Sequence, residues 1–426
     1  MDKISALDDF RGLGGRGCLT DNNHMYIDLN PVIELGSAHN HRRLQPFGIR
    51  LTDRLAHLYI IGQTGTGKST LLFNLAMQDA KAGIGFCLID PHGDLAADLS
   101  KNLGKEHLYW QVADPQSPYG YNPLTHVSAA FRPLVTSGLI ETLKKQWPDA
   151  WGARMEHLLR YAILALLETP QADIKDIVQL YVDKDFRRSV LAHVADEQVR
   201  AFWTEEFPRM NYQNAADGVA PIANKLGAFL ANPVVRKALC APETPLRFRK
   251  IMDEGQNLIV SLAKGQLGTD TANVLGGLIV SSIMNAAFSR HNRPEQQRRP
   301  FMLYVDEFHS FTTSAFAGML SEMRKYGLGI TLAHQHIVQT DKEVFEAVMG
   351  NVGSLMVFRV GAQDAPTFAR QLNTIAIRDL INQPNHRAFV QLMVDGQKVR
   401  VFSADTWPAI IGSNKVPAPL PDAQVL

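Results

Sequence analysis

From about Leu51 onward the chain alternates short unbroken apolar runs with longer stretches of helical periodicity. The runs are "HLYIIG", "IGFCLID", "HLYWQVAD", "NLIVSLAK", "FMLYVDE", "GLGITLAH", "SLMVFRVG" and "AFVQLMV". Continuous Val, Ile and Leu without polar alternation is the pattern of strands covered on both faces. Stretches such as "GKSTLLFNLAMQDAKAG" and "AFAGMLSEMRKYG" carry apolar residues at helical spacing between strands. This order predicts an α/β fold with a mostly parallel sheet and right-handed crossovers.

Between about Thr125 and Pro245 the period changes. "LVTSGLIETLKKQW", "ARMEHLLRYAILALLE", "DIKDIVQLYV", "FRRSVLAHV" and "PIANKLGAFLAN" repeat every three to four residues, and no strand is evident. Asp183 and Asp185 are candidate caps for the helix that follows them. The expected organisation is therefore an N-terminal segment over 1–50, a candidate small β-rich unit; the first part of the sheet domain over 51–124; an all-helical insertion over 125–245; the second part of the sheet domain over 246–408; and an extended Pro-rich tail over 409–426. The longest apolar stretch, Val274 to Phe288, is interrupted by Ser281, Ser282 and Asn285 and falls short of the ~20 residues of a spanning helix. It reads as a buried helix, and no transmembrane segment is expected in this chain.

Composition narrows the picture by exclusion. A net charge of +1 over 426 residues gives no global nucleic-acid signal, so any DNA contact must be a local arrangement of Lys and Arg. The candidates are Arg187, Arg188, Arg247, Arg249, Lys250, Arg290, Arg293, Arg298 and Arg299. The three cysteines, Cys18, Cys87 and Cys240, form no C-x-x-C pair and point to a reducing, cytoplasmic compartment. "HNHRR", Asn40 to Arg43, reads as a solvated loop rather than a metal site.

Candidate chemistry starts after the first strand. Gly62, Gln63, Thr64, Gly65, Thr66, Gly67, Lys68, Ser69 and Thr70 match a phosphate-binding loop between a strand and a helix. Glycines allow close backbone approach, successive N–H groups face the phosphates at the positive helix end, and Lys68 pairs with the β- and γ-phosphates. The Ser69 hydroxyl is placed to ligate Mg²⁺. "FMLYVDE" ends on Asp306 and Glu307: Asp306 to orient magnesium-bound water, Glu307 to act as general base. Adjacent acids at a strand end, without an N-K-x-D motif, favour ATP over GTP. Gln335, just past the next apolar run, is positioned to contact the γ-phosphate or attacking water. Arg324 and Arg359 compete for the role of arginine finger. His334 and His336 lack partners at metal-ligand spacing.

Taken together, "IIGQTGTGKSTLL", "LIDPHGDL", "YNPL", "YVDEFHSF", "EMRKYGLGITLAHQ" and "GNVGSLMVFRVGAQDA" resemble the HerA/FtsK superfamily of hexameric motors, specifically its conjugative coupling-protein (TraD/TraG-like) and type IV secretion ATPase branch. The resemblance implies a RecA-like additional-strand P-loop NTPase interrupted by an all-α insertion domain. It also implies six subunits around a channel, ATP and Mg²⁺ at their interfaces, Arg324 acting in trans and Arg359 on the nucleotide side. Asp90 and Asp94 match the pattern without an assigned chemistry. His309 stands where relatives often carry glutamine. The leading expectation is a DNA translocase, cytoplasmic or docked to a membrane complex through relaxase, nuclease or secretion-channel partners. The alternatives are a secretion ATPase for protein export or pilus assembly, and a nucleotide-gated scaffold for a nuclease or relaxase.

Overall fold

A computed structural model describes residues 30–40, 43–104, 106–125, 127–210 and 212–411. Cys18, His41, Arg42 and the Pro-rich tail from residue 412 lie outside the described residues. The strands are β1 Val32–Asn40, β2 Arg43–Arg50, β3 Leu58–Ile61, β4 Gly85–Asp90, β5 Leu108–Gln111, β6 Tyr119–Gly120, β7 Thr244–Pro245, β8 Asn257–Ser261, β9 Phe301–Val305, β10 Leu328–His334, β11 Ser354–Val357, β12 Arg387–Gln391, β13 Met393–Val394, β14 Gln397–Lys398 and β15 Phe402–Thr406. Eleven of them form one sheet in the order β2-β1-β15-β12-β11-β3-β10-β9-β4-β8-β5. From β11 to β5 every pairing is parallel. From β11 to β2 every pairing is antiparallel.

The apolar runs bury alternate residues on opposite faces, as period-2 side-chain geometry requires. Tyr59, Ile61, Cys87, Ile89, Leu303 and Val305 face one core. Leu58, Ile60, Phe86, Leu88, Met302 and Tyr304 face the other. The second core is closed by the helices Lys68–Lys81 and Asp94–Asn102. The first is closed by the helical region, whose Leu139, Leu158, Ile163 and Trp203 belong to the same apolar cluster as the strands. The helices between residues 132 and 240 therefore share a core with the sheet rather than enclosing one of their own.

Two features depart from the sequence pattern. Val32–Arg50 builds no unit of its own: β1 pairs with β15 and extends the main sheet by a hairpin. "AFAGMLSEMRKYG" is broken into a helix, Ser314–Leu320, and a 3₁₀ turn, Met323–Tyr326, so Arg324 sits on the turn. The break lets both Leu320 and Met323 reach the core, and Gly327 ends the turn at φ +70°. Asp183 caps the helix Lys184–Leu191 by accepting from the N–H groups of Asp185 and Phe186; Asp185 caps nothing.

The apolar stretch expected to fall short of a membrane span lies in a longer helix. Thr269–Asn292 is the one helix among the described residues long and apolar enough to cross a membrane, and 67% of its apolar window is buried inside the protein. Gly138 and Gly277 allow its close packing against the helix Arg132–Gln146: a Cβ at Gly138 would stand 2.3 Å from Ser281 Oγ, and one at Gly277 2.7 Å from Thr142 Cγ2.

A buried polar cluster pins the phosphate-loop helix to the sheet. Arg54 Nη2 donates to Asp79 Oδ2 at 2.8 Å and to the Tyr304 hydroxyl at 2.6 Å, and the Tyr304 hydroxyl also bonds Asp79. All three side chains are essentially inaccessible. Removing one ion of a buried pair leaves the other uncompensated. Asp79→Ala should therefore destabilise the fold by about 3–5 kcal/mol, read as a lower urea midpoint.

Candidate active site

All the parallel strands around β3 end at one edge of the sheet. In register, Ile61 lies beside His334 and Val357, and Val305 lies beside Leu332 and Ile89. The residues that follow are Gly62, Gln335, Phe358, Asp306 and the strand-end Asp90, so strand order brings together what the sequence scatters.

The phosphate loop wraps the start of the helix Lys68–Lys81, whose N-cap Gly67 has φ +114°. A Cβ there would sit 2.8 Å from His386 Nδ1, and one at Gly62 would sit 2.5 Å from Phe358 Cβ, so glycine is required at both. Thr66 Oγ1 donates to Gln63 O at 2.7 Å and closes the turn. Lys68 is buried and donates to Gly62 O at 2.6 Å and Gln63 O at 3.2 Å. Burial lowers its pKa, opposed by Asp306 and Glu307. Ser69 is exposed at the helix start, with Thr70 half-buried beside it.

Asp306 and Glu307 are 7% and 6% exposed despite standing at a strand end. Burial first, then the neighbouring Glu307 and Asp90 carboxylates, push the Asp306 carboxyl up to about 7; Lys68 and the Glu307 N–H pull it back. Glu307 adopts φ +49°, an uncommon conformation for a side-chain-bearing residue. Its Oε1 accepts from Gln335 Nε2, and Gln335 Oε1 accepts from Thr64 Oγ1 at 2.7 Å. Gln335 thus joins the phosphate loop to the candidate base. His309 Nδ1 lies 3.4 Å from Glu307 Oε2.

The two arginines separate. Arg359 is on the phosphate loop: Nε donates to Gln63 Oε1 at 3.2 Å and Nη1 to Gln383 O at 3.1 Å. Arg324 precedes β10 and lies electrostatically close to Asp53 and His57, at the opposite ends of the strands. The seven residues of β10 put roughly 23 Å between it and Gln335, at ~3.3 Å per residue. Arg324 is exposed, and its guanidinium makes no hydrogen bond or ion pair among the described residues. It cannot reach the phosphate loop of its own chain.

Several residues carried no usable signal in the sequence. His386 donates its N–H to Thr66 O at 2.8 Å and packs on Gly67. Gln383 donates to Val357 O at 3.1 Å and supports Arg359. Both come from the plain loop before β12. Asp90 gains a role: its oxygens accept from the N–H groups of His92 at 2.8 Å and Ala96 at 2.9 Å, locking the turn into the helix Asp94–Asn102. His334 is buried between the Tyr59 hydroxyl at 3.2 Å and Thr340 Oγ1 at 3.3 Å, and burial lowers its pKa to about 3. It is a core residue, and no cluster of metal-ligating side chains occurs among the described residues.

Most of the cations nominated for DNA are engaged internally. Arg290 is fully buried against Asp253 and the Arg299 and Tyr326 carbonyls. Arg298 and Arg299 donate to backbone carbonyls, Arg187 to Leu180 O and Tyr181 O, and Arg249 pairs with Asp253. Arg188 is exposed and pairs with Asp185. Arg247, Lys250 and Arg293 remain exposed along one shallow cleft that also holds Asp253 and Glu254.

No family model matches the chain. It is 23% identical over 349 residues to the type 4 coupling protein DotL of Legionella pneumophila, a match covering 67% of this chain and 44% of DotL. The chain thus spans less than half of that relative's length. Among solved structures it resembles the bacterial conjugative coupling protein TrwBdeltaN70 in complex with sulphate, at 19% identity and TM-score 0.61, covering 84% of this chain and 89% of that one. TrwB bound to a non-hydrolysable GTP analogue matches at 17% identity and TM-score 0.63, covering 90% and 98%. VirB4 of Thermoanaerobacter pseudethanolicus matches at 14% identity and TM-score 0.62, covering 89% and 96%. With β10 inserted between the phosphate-loop strand β3 and the acid-bearing strand β9, the chain has the RecA-like, additional-strand P-loop fold of the conjugative coupling protein TrwB and of VirB4.

Proposed function

We propose that this chain is an ATP-hydrolysing subunit of a ring motor, a hexamer, that moves DNA in the manner of the coupling proteins it resembles. The observation that carries this reading is the contact chain from Thr64 through Gln335 to Glu307, which links phosphate binding to a buried general base. The attacking water gives its proton to Glu307 as its oxygen bonds the γ-phosphorus, and the β–γ bridging bond breaks to release ADP. Lys68 leaves the Gly62 and Gln63 carbonyls to pair with the phosphates, and Arg359 steadies Gln63 beside them.

The residues fit magnesium. Asp306 is buried at the strand end, raised by the neighbouring Glu307 and Asp90 carboxylates and opposed by Lys68. A hydroxyl and a carboxylate, with phosphate and water, form the sparse hard-oxygen set this ion takes. Ser69 and Asp306 would hold it, and it would neutralise charge on the phosphates. TrwB has been solved with ADP and Mg²⁺ and with a non-hydrolysable ATP analogue, which supports the same ligands here.

The exposed Arg324, far from its own phosphate loop, supports completion of each site by a neighbouring subunit. The likeness to DotL, whose name marks a coupling protein, supports a place on the cytoplasmic side of a membrane-bound transfer machine, with relaxase or channel proteins as partners. The equal likeness to VirB4 favours a second reading, a secretion ATPase that does not use DNA. ATPase rates with single-stranded DNA, double-stranded DNA and no DNA, at known oligomeric state, separate the two: stimulation by DNA supports the motor, and indifference sinks it.

Glu307→Gln should bind ATP normally and lose turnover by about 10²–10⁴-fold in single-turnover assays. Arg324→Ala should lose about 10³–10⁵-fold. Mixing the two inactive variants should restore part of the activity, because some interfaces then pair an intact Glu307 with an intact Arg324. Mixed rings with no recovery would rule out the role in trans.

Asp306 carries the pH dependence. Its raised pKa leaves it protonated below about 7 and ionised above. Magnesium binding needs the ionised form and so releases a proton. Affinity for Mg²⁺–ATP should tighten as pH rises from 6 to 8, by up to about tenfold per unit below 7. Calorimetry on Asp306→Asn, against the same titration of the ligand itself, should show that protein-borne slope gone.

A further inference from the structure

The turn that follows Glu307 is gripped from the helical region. After Glu307 the chain forms the 3₁₀ turn Phe308–Ser310, and local bonds continue to residue 312: Ser310 N donates to Glu307 O at 3.0 Å, and Thr312 N to Phe308 O at 3.1 Å. One ammonium reaches two carbonyls of the segment 309–312. Lys145 Nζ donates to Thr312 O at 2.5 Å and to His309 O at 2.9 Å, and reaches Asp341 Oδ2 at 3.2 Å. The adjacent Gln146 donates to Ser310 O at 3.3 Å. Lys145 and Gln146 end the helix Arg132–Gln146.

Three separate elements therefore meet at one cation. One is the turn carrying Glu307 and His309. Another is the first residue before the helix Lys342–Asn351, which follows the Gln335 strand. The third is a helix of the helical region. The Lys145 side chain is only 23% exposed, so solvent screens its two carbonyl bonds weakly, whereas Asp341 is 64% exposed. The turn is also backed from beneath. A Cβ at Gly276 would lie 2.3 Å from the Phe311 ring, so Phe311 rests directly on the helix Thr269–Phe288. That helix and Arg132–Gln146 pack at glycine-permitted distance, giving the turn two rigid walls.

We propose that Lys145 is a positioning residue for hydrolysis, through which the helical region sets the placement of Glu307. The inference rests on the reading of Glu307 as the general base. A load or partner that shifts the helix Arg132–Gln146 moves the base without touching the phosphate loop, and hydrolysis then responds to what the helical region holds. A misplacement near 1 Å costs on the order of 10²-fold in rate.

The test uses the full chain with Lys145→Met, Lys145→Arg and Gln146→Ala, alongside Glu307→Gln. Lys145→Met keeps the stem and loses the donors; kcat should fall tenfold or more while the Kd for a non-hydrolysable ATP analogue stays within twofold. Lys145→Arg, which can serve both carbonyls, should recover most of the rate. Gln146→Ala should lower kcat about twofold. In Lys145→Met, hydrogen exchange should rise at residues 308–312 and not at 62–70. An unchanged kcat in Lys145→Met overturns the proposal, whatever Gln146→Ala shows, as does a loss of rate that tracks a loss of nucleotide binding. Normal turnover in Glu307→Gln would instead overturn the reading of the base itself.

Discussion

A single buried ammonium balances the charge at the heart of this molecule. Lys68 stands against Asp306 and Glu307, with Asp90 behind them, in a place water barely enters. Buried like charges repel strongly, and the site answers that repulsion by raising the Asp306 carboxyl to about 7. Lys68 meanwhile folds back onto two carbonyls of its own loop. On the proposed reading, the phosphates of a bound nucleotide would pair with Lys68 and a divalent cation would take Asp306.

The sheet makes that balance possible. Parallel strands set their C-terminal ends in one row, and the insertion of β10 between β3 and β9 puts Gln335 between the phosphate loop and the acid pair. A neighbouring-strand arrangement without β10 would leave Glu307 with no link to Thr64. Arg324, on the turn before the same strand, lies at the far edge, so the two ends of β10 place Gln335 at the phosphate loop and Arg324 away from it.

The helical region is more than an appendage. Its apolar residues continue the core on one face of the sheet, and the end of one of its helices holds the turn next to the candidate base. The packing that stabilises the sheet therefore also holds that turn in place. The internal engagement of most nominated arginines follows from the same economy, because cations near helix ends and strand starts satisfy carbonyls that would otherwise be orphaned. Arg247, Lys250 and Arg293 are left at the surface.

Much of this was legible in the sequence. Continuous apolar runs marked the covered strands, since burial on both faces leaves no room for alternation. The glycine spacing from Gly62 to Gly67 marked the loop, since only glycine allows that backbone path. Asp306 and Glu307 were visible because acids directly after an apolar strand are costly without a purpose. Strand order was not legible: which strand lies beside β3 depends on crossovers and long-range packing, which leave no local pattern. For the same reason His386, Gln383 and Lys145 gave no sign of their places, and the arginine runs looked free when they are mostly bound. Local chemistry and periodicity determined which residues could act. Only the tertiary structure decided which of them meet, because hydrogen-bond partners here lie tens to hundreds of residues apart, joined by the register of a single sheet.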